Sequence, residues 1–235
     1  MSESFKYPGD ELVLFQHAMH WKKYFSRQIK PYIKGNVLEA GAGIGSTTFL
    51  LNDGSANQWL MLEPDEKMSE FLKKKIETKE FPANCRLQTG TIGQLSSTFD
   101  TIIYIDVLEH IERDSEEMKK AAALLNDGGH IVVLSPAFNY LYSPFDKAIG
   151  HCRRYNRKML LDITPAGLQM SSIRYYDTVG YFAALMNKLF LRQKYPTRKQ
   201  IRFWDNRMVP VSKITDKLFF HSFGKSIIAV WKKIN

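Results

Sequence analysis

Two histidines in the sequence stand beside groups that suit proton transfer. His110 follows Asp106 and Glu109, and His151 opens the run His-Cys-Arg-Arg-Tyr. Imidazole titrates near neutral pH, so either ring could take a proton from an acceptor group during catalysis. The sequence offers His151 as the first candidate for a general base and His110 as the second, unless His110 is only a partly buried histidine that hydrogen-bonds locally.

The segment around His151 is rich in aromatic and basic side chains that suit a binding role. A phosphate or carboxylate on an acceptor could be held by arginines, with tyrosines beside it. The predicted acceptor-binding residues are Tyr140, Tyr142, Arg153, Arg154 and Tyr155. The alternative is that this run only locks its loop onto the rest of the fold, through an arginine bridge to Asp146 and a tyrosine hydrogen bond.

The spacing of Asp106, Glu109 and His110 would also bring three ligand types onto one face at the start of a helix. Such a face could hold a divalent metal ion. No further histidine or acid stands in register with these three residues, and we therefore predict no metal site. His17 and His20 lie four residues apart but likewise lack a supporting ligand.

A sheet must position these residues, because apolar strands alternate with helical segments as far as residue 136. Continuous apolar strands separated by helices are typical of a parallel sheet that is covered on both faces. The predicted strands are 37–40, 59–63, 86–88, 99–106, 130–135, 172–176 and 226–231. The last strand follows an irregular, aromatic and basic segment at 178–224, which we therefore predict as an insertion into one domain.

A glycine-rich turn joins the first strand to its helix and suits a cofactor that contains adenosine. Gly41 and Gly43 allow tight turning and a close approach of the backbone to a ligand. Glu63, at the end of the next strand, could accept hydrogen bonds from ribose hydroxyls. A dinucleotide site would need a third glycine where the chain has Ser46, so an oxidoreductase is disfavoured.

Several motifs occur in an order that resembles one enzyme family. Residues 37–45 (VLEAGAGIG) resemble the first motif of the class I S-adenosylmethionine-dependent methyltransferases, and residues 62–65 (LEPD) resemble the second. Residues 90–92 stand where that family lines the adenine pocket, and residues 104–111 resemble its fourth-strand motif in small-molecule methyltransferases. The resemblance covers residues 36–135.

This resemblance implies a fold, a cofactor and a set of binding residues. The implied fold is an α/β, Rossmann-like three-layer sandwich with a seven-stranded, mostly parallel sheet, an antiparallel last strand, and helical and loop cap insertions. The implied cofactor is S-adenosylmethionine, with S-adenosylhomocysteine as product. The implied cofactor-binding residues are Glu39, Gly41, Ala42, Gly43, Glu63, Pro64, Gly90, Thr91, Ile92, Asp106 and Val107. Thr91 departs from the pattern, because many relatives carry an acid there.

The segment after the fifth predicted strand resembles a narrower group. Its Gly-His-x-Arg-Arg-Tyr element, at residues 150–155, is similar to one found in a group of bacterial methyltransferases. The similarity continues into residues 209–216 and 223–226. We therefore predict one methyltransferase domain over 1–235, with a helical lid at 1–34, a cofactor-binding core at 35–135, an active-site loop at 136–156 and a basic cap insertion at 178–224. In the lid, Trp21 and Tyr24 would cover the cofactor.

The net charge of +9 is concentrated in the C-terminal part of the chain. Residues 1–150 hold 16 Lys and Arg against 20 Asp and Glu, whereas residues 151–235 hold 17 against 4. Within the cap, an apolar stripe with basic neighbours at 178–207 suits the surface of an anionic membrane, although such a stripe can also be ordinary core. The stripe contains Tyr181, Phe182, Leu185, Met186, Leu189 and Phe190, and its basic neighbours include Lys188, Arg192 and Lys194.

Composition narrows the remaining classes. The 235 residues include only Cys85 and Cys152, which argues against a disulfide scaffold. No apolar run approaches about 18 residues, and the first 15 residues do not resemble a secretory signal. We therefore expect a cytoplasmic protein that could lie at the inner face of the membrane.

The expected reaction is methyl transfer to a small or lipid-like anionic acceptor, more readily at oxygen than at other atoms. An RNA methyltransferase is one alternative, although nucleic acid is disfavoured as a partner because the sequence shows no separate nucleic-acid module. A catalytically inactive cofactor-binding adaptor at a membrane surface is the other. The acceptor itself and the oligomeric state stay open.

Overall fold

The computed structural model describes residues 15, 17–191 and 195–234 of the chain. Residues 1–14 and 16 of the predicted helical lid lie outside these residues, as do Arg192 and Lys194 of the cap. The lid is therefore described mainly as one helix, and the basic cap is described on either side of residues 192–194.

A seven-stranded mixed sheet forms the centre of the molecule, which confirms the predicted fold class. Its strands are β1 (Asn36–Ala40), β2 (Gln58–Glu63), β3 (Cys85–Thr89), β4 (Phe99–Ile105), β5 (Leu125–Pro136), β6 (Leu168–Tyr176) and β7 (Ser226–Lys233). They lie in the order β3-β2-β1-β4-β5-β7-β6. The pairs among β1 to β5 are parallel, and β7 is antiparallel to both of its neighbours, so the predicted return of the last strand is correct.

Helices cover both faces of the sheet. They are α1 (Met19–Ile29), α2 (Ser46–Leu51), α3 (Glu66–Glu77), α4 (Asp114–Leu124), α5 (Pro144–Ala148), α6 (Arg157–Asp162), α7 (Thr178–Met186), α8 (Arg198–Phe203) and α9 (Val209–Leu218). Among the described residues, none of the helices is both long and apolar enough to span a bilayer.

The period of two along each strand divides the apolar side chains between two cores. Val37 and Trp59 face one core, which includes residues of α1, α2, α3 and the cap helices. Leu38 and Tyr104 face the other, which includes residues of α4 and α6. Because central strands are covered on both faces, they read as continuous apolar runs rather than as alternating ones. This arrangement is the three-layer sandwich.

The order of the strands reverses between β1 and β4, which lie side by side at the centre. Ala40 of β1 is in register with Leu62 of β2 and Tyr104 of β4. Loops leaving the carboxyl ends of these strands diverge and leave a crevice, which is where open α/β sheets bind ligands. The fold therefore brings the glycine turn, residues 106–110 and residues 136–156 to one edge.

The described residues of the segment 178–224 are mostly helical, which confirms the predicted helical part of the cap but shows that the segment is less irregular than expected. Asp177 caps α7 by accepting from the N–H of Gly180, and Thr197 forms a capping box with Gln200 at the start of α8. Two π-helical turns, Asn187–Leu191 and Trp204–Met208, follow α7 and α8. Side-chain caps define the starts of these short helices. In the sequence, the capping residues stand among basic and aromatic residues and are hard to recognise. The fifth strand also begins earlier than predicted, at Leu125.

Candidate active site

A cavity of about 460 Å³ opens at the carboxyl ends of β1 and β4. The predicted cofactor-binding residues that line it are Gly41, Ala42, Gly43, Glu63, Pro64, Gly90, Thr91, Ile92, Asp106 and Val107. Both candidate bases, His110 and His151, line it as well. The sheet therefore brings together residues that lie up to 110 positions apart in the sequence.

Glu39 does not line this cavity, which corrects the expectation that it holds the cofactor. Its side chain points into the same apolar core as Val37, because alternate residues of a strand share a face. The Oε2 atom accepts hydrogen bonds from Thr48 Oγ1 at 2.5 Å and from Trp59 Nε1 at 2.7 Å. Burial raises the pKa of Glu39 to about 7. The carboxyl group joins α2 to β2.

The glycine turn lets the backbone approach a ligand closely. Gly41 has a φ of +70°, and a Cβ atom added there would lie 2.6 Å from Cγ2 of Val107. Gly45 has a φ of +77°, and an added Cβ would lie 2.4 Å from Phe81. Glycine is required at both positions by the positive φ and by the close packing. A side chain at position 41 would enter the space between the two central strands.

Glu63 is held rigidly at the end of β2. Its Oε2 atom accepts the N–H of Gly43 at 2.7 Å, and its Oε1 atom accepts the N–H of Asp65 at 2.9 Å. Burial raises the pKa of Glu63, and these two hydrogen bonds oppose that rise. Each carboxylate oxygen keeps a second lone pair, so the group can accept two hydroxyl hydrogen bonds from a ribose in the cavity.

Asp106 follows β4 in an unusual backbone conformation at the wall of the cavity. Its φ is +54°, a strained value for a residue other than glycine. Burial raises the pKa of Asp106, and the positive charges of His151, Lys225 and Lys22 oppose that rise. The strained turn directs residue 106 toward the crevice, where the carboxyl group adds negative potential.

His151 and Asp146 form a hydrogen-bonded pair on the loop after β5. The Nδ1 atom of His151 lies 3.0 Å from Oδ1 of Asp146, and both side chains are largely buried. Arg154 donates to both carboxylate oxygens of Asp146, at 2.8 and 2.9 Å. Although burial raises it, hydrogen bonds from His151, Arg154 and Ser143 hold the pKa of Asp146 below its usual range. A carboxylate fixed in this way orients the imidazole and leaves Nε2 for the cavity.

Two further titratable groups lie against the ring of His151. The ring of His110 packs edge-on to it at 4.6 Å, and burial together with His151 lowers the pKa of His110 to about 4. Glu109 Oε1 lies 3.8 Å from His151 Nε2 and has no hydrogen-bond partner, while its Oε2 accepts from Ser135. Burial raises the pKa of Glu109 well above its usual range.

These three side chains also have the chemistry of a metal site. Glu109, His110 and His151 each offer a ligand atom, and the three atoms lie within 4.8 Å of one another. Asp106, which the sequence pattern grouped with Glu109 and His110, does not belong to this set. Residues 108–110 form a 3₁₀ turn, so the helical spacing assumed from the sequence does not apply.

Four of the five predicted acceptor-binding residues lie outside the cavity lining, which contains only Arg154. Arg153 forms an ion pair with Asp114, and the hydroxyl of Tyr155 donates to the same carboxylate at 2.7 Å. These contacts, with the Arg154–Asp146 bridge, give the loop-locking arrangement that the sequence left as an alternative.

The two remaining tyrosines of that set stabilise the loop from its outer side. Tyr142 donates to the backbone oxygen of His151 at 2.6 Å. Tyr140 is about half exposed, stacks on Phe138 and shares a hydrogen bond with Tyr181. Both positions support the loop, because neither side chain reaches the cavity.

Positive charges that sequence reasoning did not assign also line the cavity. Lys22 comes from α1 and Lys225 from the residue before β7, and burial lowers the pKa of each. The Nζ atom of Lys225 lies 4.1 Å from the ring centroid of Trp204. Arg154 Nη1 is buried and has no hydrogen-bond partner among the residues that the structure describes. One sequence signal was available for Lys225, because an antiparallel last strand must begin at the carboxyl edge of its parallel neighbour.

The N-terminal helix closes one side of the cavity. Trp21 of α1 lines it, as predicted, but Tyr24 does not. Tyr24 instead turns toward the cap, where its hydroxyl donates to Asp216 at 2.9 Å. The two aromatic residues lie three positions apart, so they project from adjacent parts of the helix and reach different neighbours.

Comparison with a family model finds a match over the first five strands. Residues 38–131 match the model of a methyltransferase domain. These residues span β1 to β4, most of β5 and the glycine turn, and therefore much of the cavity wall.

Solved structures share the fold along nearly the whole chain. The YcgJ protein from Bacillus subtilis is 17% identical, with a TM-score of 0.59 over 92% of this chain and 99% of that one. An S-adenosylmethionine-dependent methyltransferase from Clostridium acetobutylicum is 11% identical, with a TM-score of 0.59 over 93% and 92%. The N-methyltransferase NodS from Bradyrhizobium japonicum, in complex with S-adenosylhomocysteine, is 12% identical, with a TM-score of 0.59 over 97% and 94%.

The domain match, the strand order and the crevice agree with one another. Residues 38–131 therefore match a methyltransferase domain, and the chain shares the fold of S-adenosylmethionine-dependent methyltransferases. The cavity at the carboxyl ends of β1 and β4 has a glycine cradle and a fixed carboxylate, which suit the cofactor of that class, S-adenosylmethionine.

Proposed function

We propose that this protein is an enzyme that transfers the methyl group of S-adenosylmethionine to a hydroxyl oxygen of a small or lipid-like anionic acceptor. His151 would act as the general base. The observation that carries the proposal is the pairing of His151 with Asp146 at the cavity wall, with Nδ1 and Oδ1 3.0 Å apart. A hydroxyl group must lose its proton as it is methylated, and an oriented imidazole is the side chain that most often accepts one near neutral pH.

The cofactor would lie across the carboxyl ends of β1, β2 and β4. Glu63 would bind the ribose hydroxyls, and the backbone of Gly41, Ala42 and Gly43 would pass close to the cofactor. Pro64 and residues 90–92 would line the adenine pocket. Asp106 and Val107 would lie beside the methionine portion, where a carboxylate favours the positive sulfonium. The lining positions of these residues and the hydrogen bonds that fix Glu63 support this placement.

The proposed reaction requires the protein to accept one proton, which leaves the hydroxyl group of the acceptor. When bound, S-adenosylmethionine supplies a methyl group that forms a bond to the acceptor oxygen as the carbon–sulfur bond breaks and its electron pair leaves on sulfur. His151 Nε2 takes the hydroxyl proton. Asp146 holds Nδ1–H and stabilises the imidazolium that forms, and Arg154 keeps Asp146 ionised and in place.

His151 is a better base than His110 for this step. Burial and the neighbouring His151 lower the pKa of His110 to about 4, so its imidazole is a weak proton acceptor near neutral pH. Asp146, in contrast, carries a negative charge against the ring of His151. Edge-on packing of His110 against His151 gives it a positioning role.

Three positively charged side chains at the cavity wall support the proposal of an anionic acceptor. Arg154 Nη1 is buried without a hydrogen-bond partner and lines the cavity, and Lys225 and Lys22 line it too. A buried guanidinium nitrogen that lacks an acceptor is costly, and a carboxylate or phosphate oxygen would satisfy it. This replaces the predicted set of Tyr140, Tyr142, Arg153 and Tyr155 with cations that reach the cavity.

The proposal is tested by the release of S-adenosylhomocysteine in the presence of small hydroxylated carboxylates, such as 4-hydroxybenzoate, and of their neutral amides. We expect turnover of the carboxylate over the amide, and we expect His151→Ala to lower it about a hundredfold or more while cofactor affinity stays the same. His221→Ala is the control, because His221 lies outside the cavity lining. Wild-type turnover by His151→Ala would exclude it as the base, and equal turnover of amide and acid would exclude the anionic acceptor.

A further inference from the structure

Exposed apolar side chains are concentrated on the cap. Among the described residues, 11 of the 17 large apolar side chains that are exposed lie between 178 and 224. Nine of them form what we call the cap patch: Phe182, Met186, Leu189, Phe190, Val211, Ile214, Leu218, Phe219 and Phe220. Scattered apolar residues are normal on a protein surface, whereas a contiguous group marks a site of interaction.

Helix α9 carries an apolar stripe on its exposed face, whereas a core helix buries such a stripe. Val211, Ile214 and Leu218 are exposed and recur at helical spacing. The opposite stripe is buried, and it includes the polar residues Ser212 and Asp216. The apolar stripe therefore faces away from the part of the chain that the structure describes.

Aromatic contacts join the outer side of α9 to that of α7. Phe182 of α7 and Phe219 after α9 both pack against Phe223, with ring centroids 5.8 and 5.2 Å from it. Met186 and Phe190 follow Phe182 at spacings of four residues, and both are exposed. The apolar faces of α7 and α9 thus meet at Phe223 and form one surface.

A rigid turn presents the most exposed of these residues. Phe220 is 88% exposed and has a φ of +51°, in the left-handed region that is unfavourable for a bulky side chain. The N–H of Phe220 donates to the carbonyl of Lys217, and the N–H of His221 donates to that of Asp216 at 2.7 Å. The ring of His221 also contacts the backbone oxygen of Tyr175 at 3.1 Å. The turn is anchored, so Phe220 projects from a fixed base.

The charge around the patch has one sign. The basic residues that the structure describes in the cap at 178–224 are Lys188, Arg198, Lys199, Arg202, Arg207, Lys213 and Lys217, and the acidic residues of the cap are Asp205 and Asp216. Both acids are buried: Asp205 accepts backbone N–H groups of α1, and Asp216 accepts those of Asp177 and Thr178. The exposed charges of the cap are therefore all positive.

We propose that the cap patch binds the surface of an anionic lipid bilayer. Apolar side chains would enter the boundary between headgroups and acyl chains, and the surrounding Lys and Arg side chains would contact the negative headgroups. Charge complementarity selects this partner, because the patch combines bulky aliphatic and aromatic residues with a surface that carries no exposed acid. The proposal does not depend on which molecule is methylated.

The experiment is co-sedimentation of the full chain with sucrose-loaded vesicles of phosphatidylglycerol and phosphatidylcholine in equal parts, and with vesicles of phosphatidylcholine alone. We expect binding to the first and at least about tenfold weaker binding to the second. Raising the salt concentration from about 0.05 to about 0.5 M should weaken the first interaction, because the Debye length becomes shorter. Equal binding to both vesicles, or binding to neither, would overturn the proposal.

Matched substitutions separate the patch from the rest of the surface. Phe220→Ser should weaken binding to the anionic vesicles about tenfold, and Phe49→Ser, on α2 and 68% exposed, should not change it. Lys217→Glu should weaken binding, whereas Lys73→Glu on α3 should have no comparable effect. Thermal unfolding and cofactor affinity verify that each variant is folded. Wild-type binding by folded Phe220→Ser and Lys217→Glu, or self-association through the patch in place of vesicle binding, would contradict the assignment.

Discussion

The sheet and the cap distribute apolar and charged residues in opposite ways. The central strands bury continuous apolar runs, and their functional carboxylates stand at the edge where the strands end. The cap helices bury carboxylates, namely Asp205 and Asp216, and expose apolar stripes. The cap is thus fastened by hydrogen bonds to a few acids, and its apolar surface is left for contacts outside the chain. The sheet positions the residues of the candidate site, and the cap forms an exposed apolar surface.

The strongest test of this difference removes one of the cap's anchors. Asp216 accepts hydrogen bonds from Tyr24 Oη and from the N–H groups of Asp177 and Thr178. Asp216→Ala leaves these buried donors without an acceptor, so we expect the free energy of unfolding to fall by about 4 kcal/mol. Denaturant unfolding measures it. The exposed Asp162, paired with Lys158, provides the control Asp162→Ala, for which a loss below about 1 kcal/mol is expected. Equal losses would refute the anchoring role.

A second test concerns the buried acid of the sheet, Glu39. Burial raises its pKa from 4.5 to about 7, so the folded state binds more protons than the unfolded state between these values. Stability is therefore lost as the pH rises through this window, by up to about 3 kcal/mol. Glu39→Gln keeps acceptors for Thr48 and Trp59 but removes the titration.

We expect the unfolding free energy of Glu39→Gln to vary less with pH than that of the wild type between about pH 4.5 and pH 8. Urea unfolding at several pH values measures both curves. Glu77→Gln on α3, which is exposed, should leave the slope unchanged. Parallel curves for wild type and Glu39→Gln would show that Glu39 keeps its ordinary pKa.

The third test concerns the glycine turn at the carboxyl end of β1. Gly41→Ala places a Cβ atom 2.6 Å from Val107 at a φ of +70°, whereas Gly54→Ala has a similar φ of +88° and nothing within 4 Å. Both variants carry the cost of the left-handed backbone, but only the first narrows the cofactor cradle. We expect Gly41→Ala to weaken S-adenosylmethionine binding about a hundredfold, or about 2.7 kcal/mol, and Gly54→Ala to leave it unchanged. Calorimetry decides between this outcome and a purely conformational effect.

The sequence predicted the residues of the site that lie directly at the ends of strands. Clear apolar runs in the sequence mark the strands that end at the glycine turn, at Glu63 and at Asp106. Because these strands are parallel, all three features lie at the carboxyl edge of the sheet. Glu39 could not be placed in this way, because the face on which its side chain lies depends on which helices cover that face. The strand pattern alone does not specify that cover.

Contacts between distant segments account for what the sequence did not reveal. Lys22 and Lys225 lie 203 positions apart, and only the return of β7 beside β5 brings them to one cavity. The Arg154–Asp146 bridge was foreseen as an alternative because both residues share one loop. The helical part of the cap was foreseen at its apolar stripe, but the short helices after it were not, because short helices depend on side-chain caps such as Thr197 and on packing rather than on propensity.

The hydrogen bonds from α1 to Asp205 have a consequence for biosynthesis. The N–H groups of His20 and Trp21 lie at the start of α1, which no side chain of its own caps, and they donate to a carboxylate about 185 residues later in the chain. A ribosome adds about 5 to 20 residues per second, so this helix waits on the order of ten seconds or more for its acceptor. Helix α1, which is translated before the other helices that we describe, is thus among the last to be completed, and the wall that it forms over the cavity closes only after residue 205 has been added.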